Sequence, residues 1–388
     1  MNIAYVHTDP FPSPMAGSVF ALSTAVGLAR AGADCTLLMP SAERTVEQAL
    51  AYYGVTPPAN LRIVLPGSPH YKIGPVKITR TGKYYRAVLC ELLARRPDAV
   101  IVRTLKLAAF LVSHRLPLPL FYEAHDWYSD IERKWSGAEW MISPKKLAGE
   151  RALSALEKGT LPRLTGLITL REATAELMRR DYPGVPCRAV PTAMQPLEKL
   201  PPVSDEPVVV YLGQLHPHKG LQLLFEAAQR APQIKLLIVG GGEWLAHWRK
   251  TAAESGLDHR VEFTGHLPAA QVPAALARAR VGVLPMLDCF FNRYLTSPLK
   301  IQEYFAAGLP VATADAPVTA EIVAHEQTGL LTPFGDVDAL AAALVRLCTD
   351  DELHRRCRAN ILRTVARWTW EKRGAALLEF VAGSTSFD

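Results

Sequence analysis

Val208-Val209-Val210-Tyr211-Leu212-Gly213-Gln214-Leu215-His216-Pro217-His218-Lys219-Gly220 opens the second half of a 388-residue chain. The unbroken apolar run up to Leu212 reads as a strand buried on both faces, and Gly213 ends it. The next stretch, 221–230, has helical periodicity, so a glycine turn carrying Lys219 lies between a buried strand and a helix. Such a lysine can meet phosphate oxygens. The alternation continues with strands at 235–239 and 281–284, a helix at 301–307 and a strand at 310–314. This pattern predicts a parallel sheet with helices on both faces.

The first half reads the same way. A strand at 3–6 is followed by a loop with Pro10, Pro12, Pro14 and Gly17. A helix from about Ser18 then places Val19, Leu22, Val26 and Ala29 on one face and stops at Gly32 before a strand at 35–39. Further strands are expected at 99–102, 118–122 and 167–169. Pro191, Pro196, Pro201, Pro202 and Pro207 crowd a stretch without periodicity, which reads as the linker. A chain of this length exceeds what one core serves. The predicted fold class is therefore α/β, two Rossmann-like doubly wound domains facing across a cleft, with boundaries at 1–200, 201–365 and a terminal helix at 366–388. Ligands of such sheets sit beyond the carboxyl ends of the strands.

Composition excludes several classes. With 49% apolar and 21% charged residues the chain is an ordinary globular one. Its most apolar candidate for a membrane span, 105–122, is broken by His114, Arg115, Pro117 and Pro119. Residues 1–6 run straight into a strand without a basic start, so a cytoplasmic location is expected. The cysteines are scattered without a Cys-x-x-Cys pair, against a structural zinc site or a disulfide framework. Net charge is +6 and uneven: Lys72, Lys77, Arg80, Lys83, Arg86, Arg95 and Arg96 face the single acid Glu91. Tyr84, Tyr85, Val88, Leu89, Leu92 and Leu93 give that segment an apolar face. It either packs on its own domain or touches an anionic membrane surface or a phosphorylated acceptor. No recognition motif for nucleic acid accompanies it.

Ser297-Pro298-Leu299-Lys300-Ile301-Gln302-Glu303 is the second informative stretch. Ser297 is an N-cap candidate, Pro298 suits the first helical position, and Gly308 with Pro310 ends the helix. Lys300 in the first turn is disfavoured by the helix dipole unless an anion arrives there. Glu303 shares its side of the helix, free to accept hydrogen bonds from vicinal hydroxyls, while Ile301, Tyr304 and Phe305 face inward. The same pair would also serve as an exposed helical ion pair worth a few tenths of a kcal/mol. Gly240-Gly241-Gly242 ends another strand, either for close approach of a ligand or as a tight turn. Phe121-Tyr122-Glu123-Ala124-His125-Asp126-Trp127 brings a histidine to a strand end, where it could meet sugar hydroxyls or be held in the fold by Asp126. Walker, Gly-x-Gly-x-x-Gly, Gly-x-Ser-x-Gly and His-Glu-x-x-His patterns are absent.

Taken together these segments resemble the donor-binding domain of the family 4 glycosyltransferases, retaining enzymes of GT-B fold. The resemblance rests on 211–215 with Lys219-Gly220, Val239-Gly240-Gly241-Gly242, Val261 to Leu267, Ser297 to Val311 and Thr328 to Leu331. It extends loosely to Gly17-Ser18, to Glu123-Ala124-His125-Asp126, and to Trp370-Glu371 at the terminal helix. It implies that residues 1–200 form the acceptor side and 201–365 bind a nucleoside-diphosphate sugar. Lys219 would be a diphosphate ligand, Glu303 the acceptor of ribose hydroxyls and His125 a contact of the transferred sugar. Gly213, Gln214, Gly242, His266, Leu267, Asn292, Arg293, Thr296, Ser297, Pro298, Leu299 and Lys300 would line the donor, with Gly17 and Ser18 approaching its phosphate. No metal or other cofactor is implied.

Two departures stand out. Gln214 occupies the position where the family has arginine, and Leu295 stands eight residues before Glu303, where the family has a first glutamate. The expected reaction is sugar transfer to an acceptor hydroxyl with retention. A binding subunit without catalysis, an epimerase or a phosphorylase of the same architecture remain alternatives, as does peripheral contact with the inner face of a membrane.

Overall fold

The structure, a computed structural model, describes residues 1–13, 16–41, 45–53, 55–67, 70–73, 76–79, 81–194, 197, 200–268 and 271–385. It divides into two units. Met1–Ile131, Pro144–Thr192 and Thr369–Asp388 form the first, and Glu132–Ser143 with Ala193–Trp368 form the second.

The first half of the chain runs β1 (Asn2–Val6), α1 (Ala16–Arg30), β2 (Asp34–Leu38), α2 (Val46–Tyr53), β3 (Leu61–Val64), β4 (His70–Ile73), β5 (Val76–Thr79), α3 (Thr81–Arg95), β6 (Ala99–Val102) and α4 (Leu105–Ser113). It continues through β7 (Leu120–Ala124), α5 (Ile131–Lys134), α6 (Pro144–Thr160), β8 (Gly166–Thr169), α7 (Glu172–Asp181) and β9 (Cys187–Ala189). The second half runs β10 (Val208–Leu212), α8 (Leu221–Arg230), β11 (Lys235–Val239), α9 (Leu245–Glu254), β12 (Val261–Gly265), α10 (Val272–Leu276) and β13 (Val281–Leu284). After these come α11 (Leu299–Ala306), β14 (Val311–Ala314), α12 (Pro317–Ala320), β15 (Gly329–Thr332), α13 (Val337–Thr349), α14 (Asp351–Val365) and α15 (Trp370–Thr385).

The sheet of the first unit has the order β3-β2-β1-β6-β7-β8-β9, that of the second β12-β11-β10-β13-β14-β15. Neighbours in both are parallel. Each sheet grows outward from its first strand in one direction and then reverses. The switch points lie between β1 and β6 and between β10 and β13, where doubly wound sheets bind ligands.

The strands at these points are uniformly apolar because both of their faces are covered. Ile3, Tyr5, Ile101 and Phe121 belong to one core, and Val209, Tyr211, Val281 and Val283 to the other. The expectation of one buried face on α1 needs correction. Phe20, Leu22, Ala25, Val26 and Leu28 are all buried, whereas Val19 is 43% exposed. The reason is α15, which covers the far side of α1 so closely that a Cβ on Gly27 would collide with the Trp370 carbonyl, and one on Gly374 with that of Gly27.

Pro117 and Pro119 lack the N–H that a ladder needs, so β7 begins at Leu120 and not at 118. On α3, Tyr84, Tyr85, Val88 and Leu92 are buried and the Tyr84 hydroxyl donates to the His7 carbonyl at 2.8 Å. The apolar face of the basic segment is thus used within its own unit. Arg80 lies outside the described residues, as do the side chains of Lys72 and Lys77. No helix among the described residues is long and apolar enough to cross a membrane.

Candidate functional site

In the second unit, β10 delivers Gly213 at φ +126°, a conformation open to glycine. A Cβ there would collide with the aliphatic end of Lys300, whose Nζ would be 2.8 Å away, so the lysine lies directly over the glycine peptide. Lys300 Nζ also stands 5.9 Å from the centre of the Tyr211 ring. Lys219, at the end of a 3-10 turn over Pro217–Lys219, is close enough for the two ammonium groups to repel. Burial, and then Lys300, pulls Lys219 down to about 8. Burial likewise lowers Lys300, with Glu303 opposing. Surrounding protein raises the Glu303 carboxyl and Lys300 lowers it, while the side chain keeps an exposed surface. Lys219, Lys300 and Glu303 are therefore brought together at the carboxyl end of β10.

The helix carrying two of them starts one turn position later than expected. Pro298, and not Ser297, occupies the N-cap position of α11, and no side chain caps it. Proline can take this place because its φ, −79°, suits it and no N–H is lost from the ladder. The other end is as expected: Gly308 at φ +73° sends its N–H to Phe305 and Leu309 sends its own to Tyr304, the paired bonds of a Schellman cap.

The remaining donor-side residues separate into two groups. Gly242 at φ +118° borders open space, and the His266 backbone packs under Gly241, leaving the His266 side chain exposed and Leu267 half-buried. Gln214 is exposed, its carbonyl held by the Tyr211 hydroxyl at 2.8 Å. Ser297 is half-buried and Leu299 is exposed. By contrast Asn292, Thr296 and Pro298 are buried.

Asn292 lies on a π-helix over Phe291–Leu295, and its amide donates to the carbonyls of His218, at 3.2 Å, and Leu287, at 2.8 Å. It is a brace for the Lys219 turn. Arg293 is taken up by both Asp288 oxygens, at 2.6 and 2.8 Å, and lies over Phe334. Around this π-helix pack residues from the first half of the chain: Trp135 stacks on Phe291 with centroids 5.8 Å apart, and Phe290 donates its N–H to the Ser136 carbonyl. A small cavity lined by Pro285, Met286, Thr332 and Asp336 holds about 10 Å³. That is about the space of one water, and its carboxylate caps α13.

In the first unit the cluster forms around Glu123, fully buried at the end of β7. Its carboxylate accepts from the Tyr5 hydroxyl and pairs with Arg373 of α15, with Arg103 at 3.8 Å and His125 at 3.7 Å. Burial would raise this carboxyl, but Arg373, His125 and Arg103 hold it far below the usual range. Arg103 follows β6 and donates through Nε to His125 Nε2 at 2.8 Å and through Nη1 to the Gly17 carbonyl at 2.8 Å.

Arg103 also sets Nη2 3.2 Å from His125 Nδ1, and because a guanidinium only donates, a neutral imidazole accepts from it at one ring nitrogen, Nε2 being the nearer. Although the His125 side chain keeps 30% of its surface exposed, the protein packed around it and Arg103 both push the imidazole down, Glu123 pulling the other way. Gly17 rests on the His7–Asp9 pair, 2.9 Å apart, where any Cβ would collide with both. Ser18 is fully buried and its hydroxyl donates to the Pro10 carbonyl at 3.0 Å, so the hydroxyl is committed within the fold. The Asp126 carboxylate accepts the Trp127 N–H at 2.9 Å.

Sequence reasoning missed Arg103, Arg373 and the buried state of Glu123. A charge directly after the all-apolar β6 was a signal for Arg103, whereas nothing local in α15 marked Arg373. No group of three or more His, Cys, Asp or Glu suited to a metal occurs among the described residues.

Known proteins match over both units. Residues 197–364 match the family described as "Glycosyl transferases group 1", and residues 17–195 the one described as "Glycosyltransferase Family 4". The chain belongs to the family 4 type of glycosyltransferases. Among relatives, the GDP-mannose-dependent alpha-(1-6)-phosphatidylinositol monomannoside mannosyltransferase of Mycolicibacterium smegmatis is 32% identical over 198 residues, 47% of this chain and 49% of that protein. The 2-deoxystreptamine glucosyltransferase of Streptomyces kanamyceticus is 28% identical over 219 residues, 51% and 55% of the two chains.

The chain spans about half the length of the curated relatives it matches. In fold it is similar to sucrose-phosphate synthase from Thermosynechococcus elongatus, with TM-score 0.73, 19% identity and 98% of both chains covered. It is also similar to Anabaena HepE in complex with UDP, with TM-score 0.70, 16% identity and 99% and 100% covered. The fold of this family 4 chain is GT-B.

Proposed function

We propose that the chain transfers a hexosyl group from a nucleoside-diphosphate sugar to an acceptor hydroxyl, with retention at the anomeric carbon. The carrying observation is the pair of neighbouring lysines beyond the carboxyl end of β10, Lys300 over the Gly213 peptide and Lys219 close enough to be repelled by it, at the switch point of the second unit. Two neighbouring cations depressed by burial repel each other until an anion neutralises them. A diphosphate is the anion of matching size and charge. As the bond from the anomeric carbon to the phosphate oxygen breaks, charge grows on the β-phosphate, and these donors stabilise it more than the ground state. The acceptor oxygen bonds to that carbon, and its proton passes to the departing phosphate oxygen on the same face.

Glu303 would receive the ribose hydroxyls, Gly265-His266-Leu267 would line the base and His125 would contact the sugar. The lysines supply the positive charge in this reading, so no metal is required, and turnover should survive chelation by EDTA. Because the mycobacterial relatives are named for GDP-mannose, that donor comes first in a thermal-shift panel with UDP- and ADP-sugars, where a bound ligand raises the melting temperature. Loss of the shift in Lys219→Ala and Glu303→Ala supports the assignment; unchanged binding and transfer in both would refute it. Donor hydrolysis by the isolated protein separates an enzyme from a binding subunit, and NMR of the product's anomeric proton reads retention. Exposed Arg86 and Arg96 on or beside α3 support a peripheral contact with anionic lipid, which flotation with anionic liposomes tests.

A further inference from the structure

We propose that Arg373 of the terminal helix is a positioning residue for His125, acting through the buried Glu123 carboxylate and Arg103. The geometry leaves little choice of partners. The Arg373 side chain is 1% exposed, and it gives Nη2 to Glu123 and Nη1 to the Val190 and Pro191 carbonyls. Its guanidinium also lies 4.9 Å from the centre of the Phe20 ring, which has Arg103 at 4.2 Å, His125 at 5.2 Å and Trp370 at 5.5 Å around it. Phe20 thus touches both guanidinium groups, and Glu123 faces both of them.

The division of Glu123 decides what Arg103 can do. With Arg373 on one oxygen and the Tyr5 hydroxyl on the other, the carboxylate is satisfied. Arg103 is then held 3.8 Å off and directs its Nε to His125 and its Nη1 to Gly17. Without Arg373, a buried anion would draw Arg103 and His125 toward itself. Arg103 would leave Nε2, and the imidazole would meet a carboxylate in place of a guanidinium. The charged groups that face His125 are Arg103 from β6, Glu123 from its own strand and Arg373 from α15. Arg373 lowers the imidazole directly, and its removal frees the carboxylate that raises it, so both effects have one sign. Protonation then takes away the lone pair with which a neutral His125 accepts from Arg103, and with it the bond that orients the ring.

The consequence for turnover rests on the proposed transferase reading, but the state of His125 can be followed without it. The full chain is compared with Arg373→Gln, Arg373→Lys and Glu123→Gln, following the His125 imidazole proton by NMR from pH 4 to 8. Arg373→Gln should move the His125 midpoint upward by about one unit, and Arg373→Lys should return most of that shift. In a Glu123→Gln background the change Arg373→Gln should shift the midpoint by clearly less, because only the direct repulsion by the guanidinium remains and the route through the carboxylate is gone.

A His125 midpoint in Arg373→Gln within roughly 0.2 unit of the parent would overturn the proposal, as would an equal shift in the Glu123→Gln background. Should Arg373→Gln fail to fold, Glu123→Gln against the parent carries the test: loss of the carboxylate that raises the imidazole should move the His125 midpoint downward, and an unmoved midpoint would overturn the proposal. Where sugar transfer is measured, the acid limb of kcat should follow the midpoint with KM for donor unchanged. Loss of transfer in the parent itself would speak against the transferase reading and leave the titration result standing.

Discussion

At the scale of single residues, the site is built from charges that the fold holds at a disadvantage. Lys219 is depressed to about 8 by burial and by Lys300. Its unfolded counterpart binds a proton up to about 10.4, so between those values the unfolded chain holds more protons and stability rises with pH. Below about 8 the penalty is constant. Lys219→Met should therefore melt higher than the parent at pH 7, by roughly 1 kcal/mol or less given partial solvent access, and should lose the donor-induced shift. Donor affinity in the parent should fall as pH climbs through about 8, a trend read by titration calorimetry.

Glu157 shows the opposite sign. It is fully buried and raised to about 7 by burial, against the bonds it accepts from Ser129, Tyr128 and Tyr182. A carboxyl whose folded pKa lies above its unfolded value lends stability below about 4.3 and loses it as pH rises through about 7. Glu157→Gln should accordingly gain melting temperature over the parent at pH 8 and gain much less at pH 4. Equal gains at both values would show that burial does not govern this group.

At the scale of elements, close approach and bracing decide function. Asn292 on the π-helix holds the His218 carbonyl, and with it the turn that ends in Lys219. Asn292→Ala leaves the half-buried His218 and Leu287 carbonyls without that donor, at a cost of about 1 kcal/mol. Because the lysine turn loosens, KM for the donor should rise more than kcat falls; a fall in kcat alone would place Asn292 elsewhere in the reaction. The crossing of α1 and α15 is set by Gly27 and Gly374, each against the other helix's backbone. Gly374→Val must push the helices apart, a change worth about 1–3 kcal/mol by overpacking, visible in chemical denaturation.

At the scale of the whole molecule, each unit takes its site from the switch point of its own sheet, and chain order does not follow unit boundaries. Glu132–Ser143 belongs to the second unit and Thr369–Asp388 to the first. A chain ended after Trp368 would lose Arg373 and the cover of α1, leaving Glu123 buried with a missing partner. Breaking a buried pair in this way costs about 3–5 kcal/mol, so the truncated chain should melt well below the parent or fail to accumulate.

The sequence by itself determined the two doubly wound sheets, because strands buried on both faces must be continuous apolar runs and glycine must mark where they stop. It also pointed to Lys219, Lys300 and Glu303 as a group, since Lys219 lies in the turn after β10 and Lys300 with Glu303 on the first turns of the helix between β13 and β14, connections that such a sheet sends past one edge. Local pattern has no term for what arrives from afar. Arg373 reaching Glu123, Asn292 turning inward to the His218 carbonyl and Ser18 spending its hydroxyl on Pro10 were decided only in three dimensions. The reason is that a buried polar group must find whichever partner the packing supplies, and that partner is chosen by the tertiary contacts and not by its neighbours in the chain.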